Sequence, residues 1–267
     1  MIATKSVSDE FLIHNIEHFS KSGLMQDLFY KIMHLSKLDS PAILVGEVGS
    51  GKDRLARVIH DNSQQKEGPF QTFSCLDIDE NDFREAFWGQ LQFDDEQLRL
   101  KYDLLEKAID GSLYLSQFSE LSNSLMLDTV SSYQKGYKHL FRYSEDKKRK
   151  PRLIISFDQN LYKEISNQDT WNEILNELNP VVIMLPPLRE HKEDIPLLID
   201  YYLEDIRTNS HNEYKNISMS TSARLACLNY DWPGNYLQLK NVLMQGAILT
   251  HGKVIKPKHL PFSMSLD

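Results

Sequence analysis

The chain has few cysteines, no long apolar run and no excess of basic charge, and each absence narrows its possible roles. It contains two cysteines, Cys75 and Cys227, which lie too far apart for metal-ligand spacing. No apolar stretch approaches the roughly 20 residues that a membrane helix requires, and the segment after Met1 has no secretory pattern. We therefore predict a cytoplasmic protein with no membrane contact, two isolated buried thiols and no metal-ligating residues.

The charge balance argues against a free-standing nucleic-acid-binding protein. The formal net charge is -8 at pH 7, with 30 Lys and Arg against 38 Asp and Glu, whereas such proteins usually present a basic surface. A hydrophobic content of 41% is sufficient for a buried core. The length of 267 residues allows one large domain, or one domain with a small companion.

A glycine-rich segment between an apolar run and a helical pattern is the most informative feature. Residues 42–45 predict a buried strand and residues 55–60 predict a helix. The segment between them, Gly46-Glu47-Val48-Gly49-Ser50-Gly51-Lys52, has the Gly-x4-Gly-Lys pattern of a phosphate-binding loop. Its backbone N–H groups can surround a phosphate, and Lys52 can neutralise phosphate charge. A tight glycine turn with a surface lysine is the alternative interpretation.

The residues expected to complete a hydrolase are not found after the next buried strand. A P-loop hydrolase needs a carboxylate near Mg²⁺ and a group that orients or deprotonates water. The candidate strand at residues 111–115 is followed by Ser116 and Gln117 rather than by two acids. Serine contacts Mg²⁺ only weakly, and glutamine can hydrogen-bond to a water but cannot take its proton. We therefore assign no catalytic residue.

The order of patterns along the chain predicts an α/β fold, in which a parallel sheet flanked by helices precedes a small all-helical domain. Further strands are predicted at residues 70–75, 152–157 and 181–185. Helices are predicted at 24–36, 193–206, 220–228 and about 235–250, with residues 79–110 mostly helical and no strong strand after residue 193.

Four segments occur in the order found in one known family. Residues 46–60 follow the pattern GESGTGKE…AR.IH, and Gly68-Pro69-Phe70 with Cys75 resembles the next strand. Residues 185–196 follow LPPLRER.EDIP, and residues 232–235 read WPGN. From about Ser22 to Pro261 the chain thus resembles the AAA+ domain of bacterial enhancer-binding proteins, the NtrC-type activators that remodel sigma-54 RNA polymerase.

The resemblance implies a domain organisation and a ligand. It implies an N-terminal lead-in at residues 1–22, a P-loop AAA+ nucleotide-binding domain at 23–191 and a helical lid domain at 192–267. ATP or ADP would bind at the junction of the two domains, with Mg²⁺ as an accompanying ion. The family usually has an acidic residue after the lysine, so Asp53 is not a departure. Nine consecutive residues are assigned to the nucleotide: Gly46, Glu47, Val48, Gly49, Ser50, Gly51, Lys52, Asp53 and Arg54.

Five departures from the family pattern affect one reaction cycle. The acidic motif LFLDE corresponds to residues 113–117, which read LYLSQ, and no GAFTGA segment lies between residues 89 and 108. The sensor motif ATN becomes Ser156-Phe157-Asp158. The arginine-finger positions are occupied by Trp171 and Glu177, and the lid arginine by Leu237. These losses predict a module that binds nucleotide and hydrolyses it slowly or not at all.

Three hypotheses about function follow. The first is a regulatory AAA+ module that acts in transcription through protein–protein contacts, with self-association or a related AAA+ protein as partner. Loss of GAFTGA removes the segment with which the family grips the sigma factor, and no DNA-binding domain is predicted in the chain. The second is an active ATPase in which Asp53, Asp158 or a partner's residues replace the missing acids. The third is an interaction scaffold that no longer binds nucleotide.

Overall fold

The chain forms two compact units in a computed structural model that describes residues 20–88, 91–94, 97–100, 103–140, 149–209 and 213–263. The sheet unit comprises Ile32–Glu47 and Lys52–Leu185. The lid unit comprises the described residues up to Lys31, the loop Val48–Gly51 and the described residues from Pro186 onward. Most of the predicted lead-in lies outside the described residues, and the domain limits inferred from the motifs stay predictions.

The sheet unit is built on five parallel strands, as the sequence predicted. The strands among the described residues are β1 Ala42–Gly46, β2 Phe70–Ser74, β3 Leu91–Asp94, β4 Gln97–Leu100, β5 Ser112–Ser116, β6 Arg152–Asp158, β7 Val181–Met184, β8 Ser218–Met219 and β9 Val254–Ile255. The parallel sheet has the order β2–β5–β6–β1–β7. Because β1, β5 and β6 are covered on both faces, they read as nearly continuous apolar runs in the sequence.

Helices pack on the sheet in one unit and on one another in the other. Their bounds are α1 Gly23–Ser36, α2 Lys52–Asp61, α3 Glu80–Trp88, α4 Asp103–Lys107, α5 Asn123–Leu140, α6 Gln159–Ile165, α7 Asp169–Leu178, α8 Ile195–Asn209, α9 Thr221–Asn229 and α10 Asn235–Leu249. The predicted cap of α9 is confirmed, because Ser220 Oγ accepts the N–H of Ala223 at 3.3 Å. No helix among the described residues is long and apolar enough to cross a membrane.

One part of the secondary-structure prediction was wrong. Residues 79–110 were expected to be mostly helical, but β3 and β4 pair there as an antiparallel hairpin between α3 and α4. Each strand has apolar residues at alternate positions, which is the period of a strand rather than of a helix. The lid also contains a two-residue parallel bridge, β8 with β9, which is too short to leave a pattern in the sequence.

Each unit has its own apolar core. In the sheet unit Phe83 and Phe87 are fully buried, as predicted, and Trp88 packs against them. In the lid unit Trp232 is fully buried and donates its ring N–H to the carbonyl of Cys227 at 2.8 Å. Both cysteines are buried and free, and burial raises the pKa of each thiol to about 12. The prediction of two isolated buried thiols is thus confirmed.

A buried arginine fixes the end of α1 to the sheet. The guanidinium of Arg152, at the start of β6, donates to the backbone carbonyls of Leu35, Ser36 and Ser40, each at 3.0 Å. The carbonyls of Leu35 and Ser36 lie in the last turn of α1, where acceptors lack α-helical partners, and that of Ser40 lies in the turn that follows. Burial lowers the pKa of Arg152, although the nearby Asp39 opposes that shift. The contact sets the direction in which the chain enters β1.

Candidate functional site

The glycine-rich loop follows the carboxyl end of β1, a strand paired with β6 on one side and β7 on the other. Gly49 and Gly51 have φ angles of +73° and +90°, which side chains rarely adopt. Within the described part of the chain, the N–H groups of Gly49, Ser50 and Gly51 have no acceptor. The hydroxyl of Ser50 is buried and likewise has no hydrogen-bond partner among the described residues. The loop therefore offers several donors whose partner must come from outside these residues.

Lys52 is the first residue of α2 and its ammonium group turns back to the loop. Nζ donates to the carbonyl of Gly46 at 2.6 Å and to that of Glu47 at 2.9 Å. Burial lowers the pKa of Lys52, whereas the carboxylates of Asp158, Asp53 and Glu47 act to raise it. A partly desolvated ammonium beside the amino end of a helix is the charge arrangement that binds phosphate.

The tip of the loop, Val48–Gly51, is held by the WPGN turn within the lid unit. The amide nitrogen of Asn235 donates to the carbonyl of Val48 at 3.0 Å, and its amide oxygen accepts the N–H of Leu188 at 2.8 Å. The N–H of Tyr236 donates to the carbonyl of Gly49 at 3.1 Å. The sequence predicted a turn here but not this clamp, which brings together segments far apart in the chain.

A buried polar chain supports the clamp from behind. The hydroxyl of Tyr236 lies 3.2 Å from His191 Nε2, and His191 Nδ1 lies 3.1 Å from Asp194 Oδ2. Burial alone would raise the pKa of the Asp194 carboxyl. Hydrogen bonds from His191, from the Ser20 hydroxyl and from the N–H groups of Lys21 and Ser22 outweigh burial and lower this pKa. A structural role for His191, as the sequence suggested, agrees with this geometry.

The residues at the position of the missing acids are engaged in structural hydrogen bonds. Gln117 has a left-handed backbone with φ 54°. Its side-chain oxygen accepts from the Ser74 hydroxyl at 3.2 Å, and its N–H donates to Ser156 Oγ at 3.0 Å. The Ser116 hydroxyl lies 3.4 Å from the carbonyl of Phe73. Neither side chain is a base, so this end of β5 has no group that could deprotonate a water.

A buried tyrosine on β5 connects α2 to β6. The hydroxyl of Tyr114 lies 2.7 Å from Asp53 Oδ1 and 3.1 Å from Ser156 Oγ. Burial and the neighbouring Asp53 raise the pKa of Tyr114 far above its ordinary value of 10.0, so the phenol stays protonated and donates to the carboxylate. Sequence reasoning missed this contact, although a polar Tyr and a polar Ser inside two buried apolar strands were a usable signal.

The other changed positions have distinct local roles. Asp158, at the sensor position, caps α6 by accepting the N–H of Asn160 at 2.8 Å. Trp171, at an arginine-finger position, is buried and packs edge-on against Phe157 with ring centroids 5.6 Å apart. Leu237, at the lid-arginine position, is 54% exposed. Trp171 and Leu237 stand where arginines were expected and carry no charge, whereas Asp158 puts a carboxylate at a position where the family motif has a neutral asparagine.

The nine predicted site residues lie consecutively around the loop, and the structure shows what most of them contact. Gly46 and Glu47 accept from Lys52, Val48 accepts from Asn235, Gly49 accepts from Tyr236, and Asp53 accepts from Tyr114. Arg54 is exposed and follows Asp53 on α2. No group of three or more potential metal ligands occurs among the residues described.

Comparison with known families decides the assignment. The Sigma-54 interaction domain family matches residues 18–184, and an AAA+ ATPase lid domain family matches residues 189–266. The chain belongs to the Sigma-54 interaction domain family. The resemblance inferred from the motifs is thereby confirmed, as are the parallel AAA+ sheet and the helical lid.

Two curated transcriptional regulators are similar in sequence to most of this chain. The chain is 28% identical over 258 residues to a Nif-specific regulatory protein of Herbaspirillum seropedicae, covering 96% of this chain and 47% of the relative. It is 32% identical over 213 residues to the transcriptional regulatory protein XylR of Pseudomonas putida, covering 78% of this chain and 37% of the relative. The chain therefore spans about half, or less, of the length of these relatives.

Solved structures give the same result. NtrX from Brucella abortus in complex with ADP matches with a TM-score of 0.74 and 26% identity, covering 92% of this chain and 56% of that one. NtrX in complex with ATP matches with a TM-score of 0.71 and 25% identity, over 92% of this chain and 56% of that one. The similarity thus includes a protein whose structures hold both nucleotides.

Proposed function

We propose that this chain is a nucleotide-binding AAA+ regulatory module of the sigma-54 activator type, which holds ATP or ADP and hydrolyses it slowly or not at all. The observation that carries the proposal is an intact phosphate-binding loop beside a β5 end that has no carboxylate. Its output would be contact with other proteins in transcription regulation, either with copies of itself or with a related AAA+ protein.

The loop residues supply what a phosphate requires. Gly49, Ser50 and Gly51 present N–H groups without acceptors among the described residues, and Lys52 supplies positive charge at the start of α2. The buried Ser50 hydroxyl, which also lacks a partner among these residues, is a further donor. A nucleotide phosphate fits this set because it brings several acceptor oxygens to one point.

The same geometry opposes hydrolysis. A bound nucleotide supplies the scissile phosphate bond, and the chain must orient or deprotonate a water, and needs a carboxylate near Mg²⁺, to cleave it. At the end of β5 the hydroxyl of Ser116 and the amide of Gln117 cannot accept that proton. The amide oxygen of Gln117 accepts from the Ser74 hydroxyl at 3.2 Å, which holds the side chain against β2. We therefore expect the chain to hold the nucleotide and to release it unchanged.

Titration calorimetry with ATP and with ADP tests this proposal. Binding should be present in the wild type and weakened at least about 100-fold in Lys52→Ala, since a charge-assisted contact to phosphate is lost. Lys163→Ala is the matched control, because Lys163 is exposed on α6 of the same unit and should leave affinity unchanged. Phosphate release at the rate of an ordinary ATPase, about 1 per second or faster, would refute the hydrolysis-deficient assignment.

One observation favours an active ATPase as the second candidate. The carboxylate of Asp158, at the end of β6, is the strongest charged influence on Lys52 and lies on a strand adjacent to β5. It could replace a missing acid if its capping bond to Asn160 were given up. Under that hypothesis Asp158→Asn abolishes phosphate release, whereas Gln117→Ala leaves it unchanged. If neither ATP nor ADP binds, the interaction-scaffold hypothesis replaces both.

A further inference from the structure

The WPGN turn holds the loop tip by its carbonyl groups, and this determines where the adjoining N–H groups point. In a planar trans peptide the C=O of one residue and the N–H of the next belong to one rigid group and point in opposite directions. The carbonyl of Val48 accepts from the amide nitrogen of Asn235 at 3.0 Å. The carbonyl of Gly49 accepts the N–H of Tyr236 at 3.1 Å. The N–H groups of Gly49 and Ser50 are therefore directed away from the turn.

These two N–H groups are among the donors that have no acceptor within the described part of the chain. A phosphate can accept from both of them only while the two peptide planes keep this orientation. A bound phosphate and an intact contact between the loop and the turn therefore favour each other.

The side chain of Tyr236 is part of the same clamp. A Cβ on Gly51 would lie 3.7 Å from Tyr236 Cδ2, so the edge of the ring packs beside the end of the loop. The hydroxyl lies 3.2 Å from His191 Nε2. The orientation of the ring thus depends on the imidazole, and the backbone N–H that holds Gly49 belongs to the same residue.

His191 connects the turn to a carboxylate. Its imidazole is fully buried, and Nδ1 lies 3.1 Å from Asp194 Oδ2. Because a carboxylate can only accept, Nδ1 carries the hydrogen, and Nε2 of the neutral ring then accepts from the phenol. A second contact joins the same two segments, since the N–H of Leu188 donates to Asn235 Oδ1 at 2.8 Å. The turn and residues 188–194 are therefore held together at two points.

Asp194 receives its other hydrogen bonds from the residues that precede α1. Oδ1 accepts the N–H groups of Lys21 at 2.6 Å and Ser22 at 3.1 Å, and Oδ2 accepts the Ser20 hydroxyl at 2.8 Å. If this segment moved away, the carboxylate would lose three of its four donors while it is only 3% exposed. A buried charge that loses its donors is costly. The position of residues 20–22 and the arrangement around Asp194 are therefore energetically linked.

We propose that Tyr236, His191 and Asp194 couple the phosphate-binding N–H groups of the loop to residues 20–22, so that a bound nucleotide and a docked segment stabilise each other. Tyr236 is the positioning residue, because it holds a loop carbonyl while its own ring is held by His191. Every contact on this path lies within the lid unit. The coupling is reciprocal, so displacement of residues 20–22 lowers the affinity of the loop for nucleotide. This inference rests on the nucleotide binding proposed above and specifies the regulation of that same loop.

Amide hydrogen exchange of the full chain, followed residue by residue by NMR with and without saturating ADP, tests the coupling. In the wild type ADP should slow exchange of the N–H groups of Lys21 and Ser22 by at least about fivefold, because both donate to the buried carboxylate. The N–H of Ala223, which donates at the start of α9 in the same unit, is the internal control and should exchange at an unchanged rate. In Tyr236→Phe, which removes only the hydroxyl, the slowing at Lys21 and Ser22 should fall below about twofold.

Titration calorimetry with ADP supplies the reciprocal measurement. Tyr236→Phe should bind ADP about fivefold more weakly than the wild type. Tyr214→Phe is the matched control, because it removes a phenol of the same unit that bonds to Glu213 rather than to His191. It should bind ADP as the wild type does. Far-ultraviolet circular dichroism of both variants establishes that they are folded before titration.

Each alternative outcome has a separate meaning. If ADP binds the wild type without slowing exchange at Lys21 and Ser22, the coupling is wrong and the proposed nucleotide binding is intact. Equal slowing at Ala223 would indicate general stabilisation of the unit and would overturn the specific path. Slowing that persists in Tyr236→Phe, or unchanged affinity in that variant, would refute the role of Tyr236. No binding of ADP to the wild type would refute the proposed function itself.

Discussion

Three glycine-to-alanine substitutions test the packing of the loop tip against the WPGN turn. They separate the cost of a left-handed backbone conformation from the cost of a steric clash with the added Cβ. In Gly49→Ala the added Cβ would lie 2.3 Å from the backbone oxygen of Gly234, and the residue has φ +73°. In Gly51→Ala the residue has φ +90° but the nearest atom to Cβ is 3.7 Å away, on the ring of Tyr236. In Gly23→Ala nothing lies within 4 Å of Cβ.

The expected magnitudes follow from these contacts. An alanine in a left-handed backbone conformation lowers the free energy of unfolding by about 1–2 kcal/mol. The replacement of glycine also reduces the conformational entropy of the unfolded chain, which raises the free energy of unfolding by about 0.4–1 kcal/mol. Gly51→Ala should therefore lower the free energy of unfolding by about 1 kcal/mol. Gly49→Ala must also displace a backbone carbonyl, and such overpacking costs about 1–3 kcal/mol. We therefore expect Gly49→Ala to lower the free energy of unfolding by about 3 kcal/mol in total. Gly23→Ala should be neutral or stabilising by up to about 1 kcal/mol.

Urea denaturation followed by tryptophan fluorescence measures the series. Trp232 is fully buried in the turn that contacts Gly49, so its fluorescence reports on the lid unit, while Trp88 and Trp171 report on the sheet unit in the same signal. The order of midpoints should be Gly23→Ala at or above wild type, then Gly51→Ala, then Gly49→Ala. Equal midpoints for Gly49→Ala and Gly51→Ala would mean that the loop tip does not pack on Gly234, and the clamp described above would be wrong.

Three further predictions concern buried polar contacts. Arg152→Met removes three hydrogen bonds to carbonyls and should cost about 3 kcal/mol in thermal or urea unfolding, whereas the exposed Arg84→Met should cost less than about 1 kcal/mol. Folding lowers the pKa of Asp194 from 3.8. Its stabilisation is therefore present above that value and is lost as the pH falls below it. In urea titrations Asp194→Asn should destabilise the protein at neutral pH and approach wild type in acid; a constant difference would contradict this. Asn235→Gly keeps the φ of +50° accessible but removes both hydrogen bonds of the Asn235 side chain, and should lower the free energy of unfolding by about 2 kcal/mol. The control is Asn241→Gly at an exposed position of α10, which should lower the free energy of unfolding by about 1 kcal/mol through helix propensity alone.

Local sequence patterns predicted strands and helix caps well where a single requirement, such as burial on both faces or capping by an adjacent hydroxyl, set the residue types. The strand before the loop and the strand at residues 152–157 are covered on both faces, so their apolar runs indicated burial directly. The cap at Ser220 was predicted because a capping hydroxyl acts on residues that adjoin it in the chain. The hairpin at β3 and β4 was missed, since charged residues on either side suggested a helix and its short alternation was overlooked.

The part of the candidate site that lies in one continuous segment was predicted from the sequence. Gly49, Gly51 and Lys52 form a site through their spacing in one continuous segment, which the sequence displays. The loss of carboxylates after β5 was likewise visible at Ser116 and Gln117. The hydrogen bond from Tyr114 to Asp53 was not predicted, because it joins two segments whose proximity depends on the placement of α2 against β5.

By itself, the sequence determined the family, the five strands of the parallel sheet, the phosphate-binding loop and the absence of a base after β5, because each depends on residue types at fixed separations. Only the tertiary structure decided how the changed residues are used. It placed Trp171 in the core, assigned Asp158 to a helix cap and joined Gln117, Ser156, Tyr114 and Asp53 in one network. These roles arise from distances between segments remote in the chain, and such distances are fixed by packing rather than by local pattern.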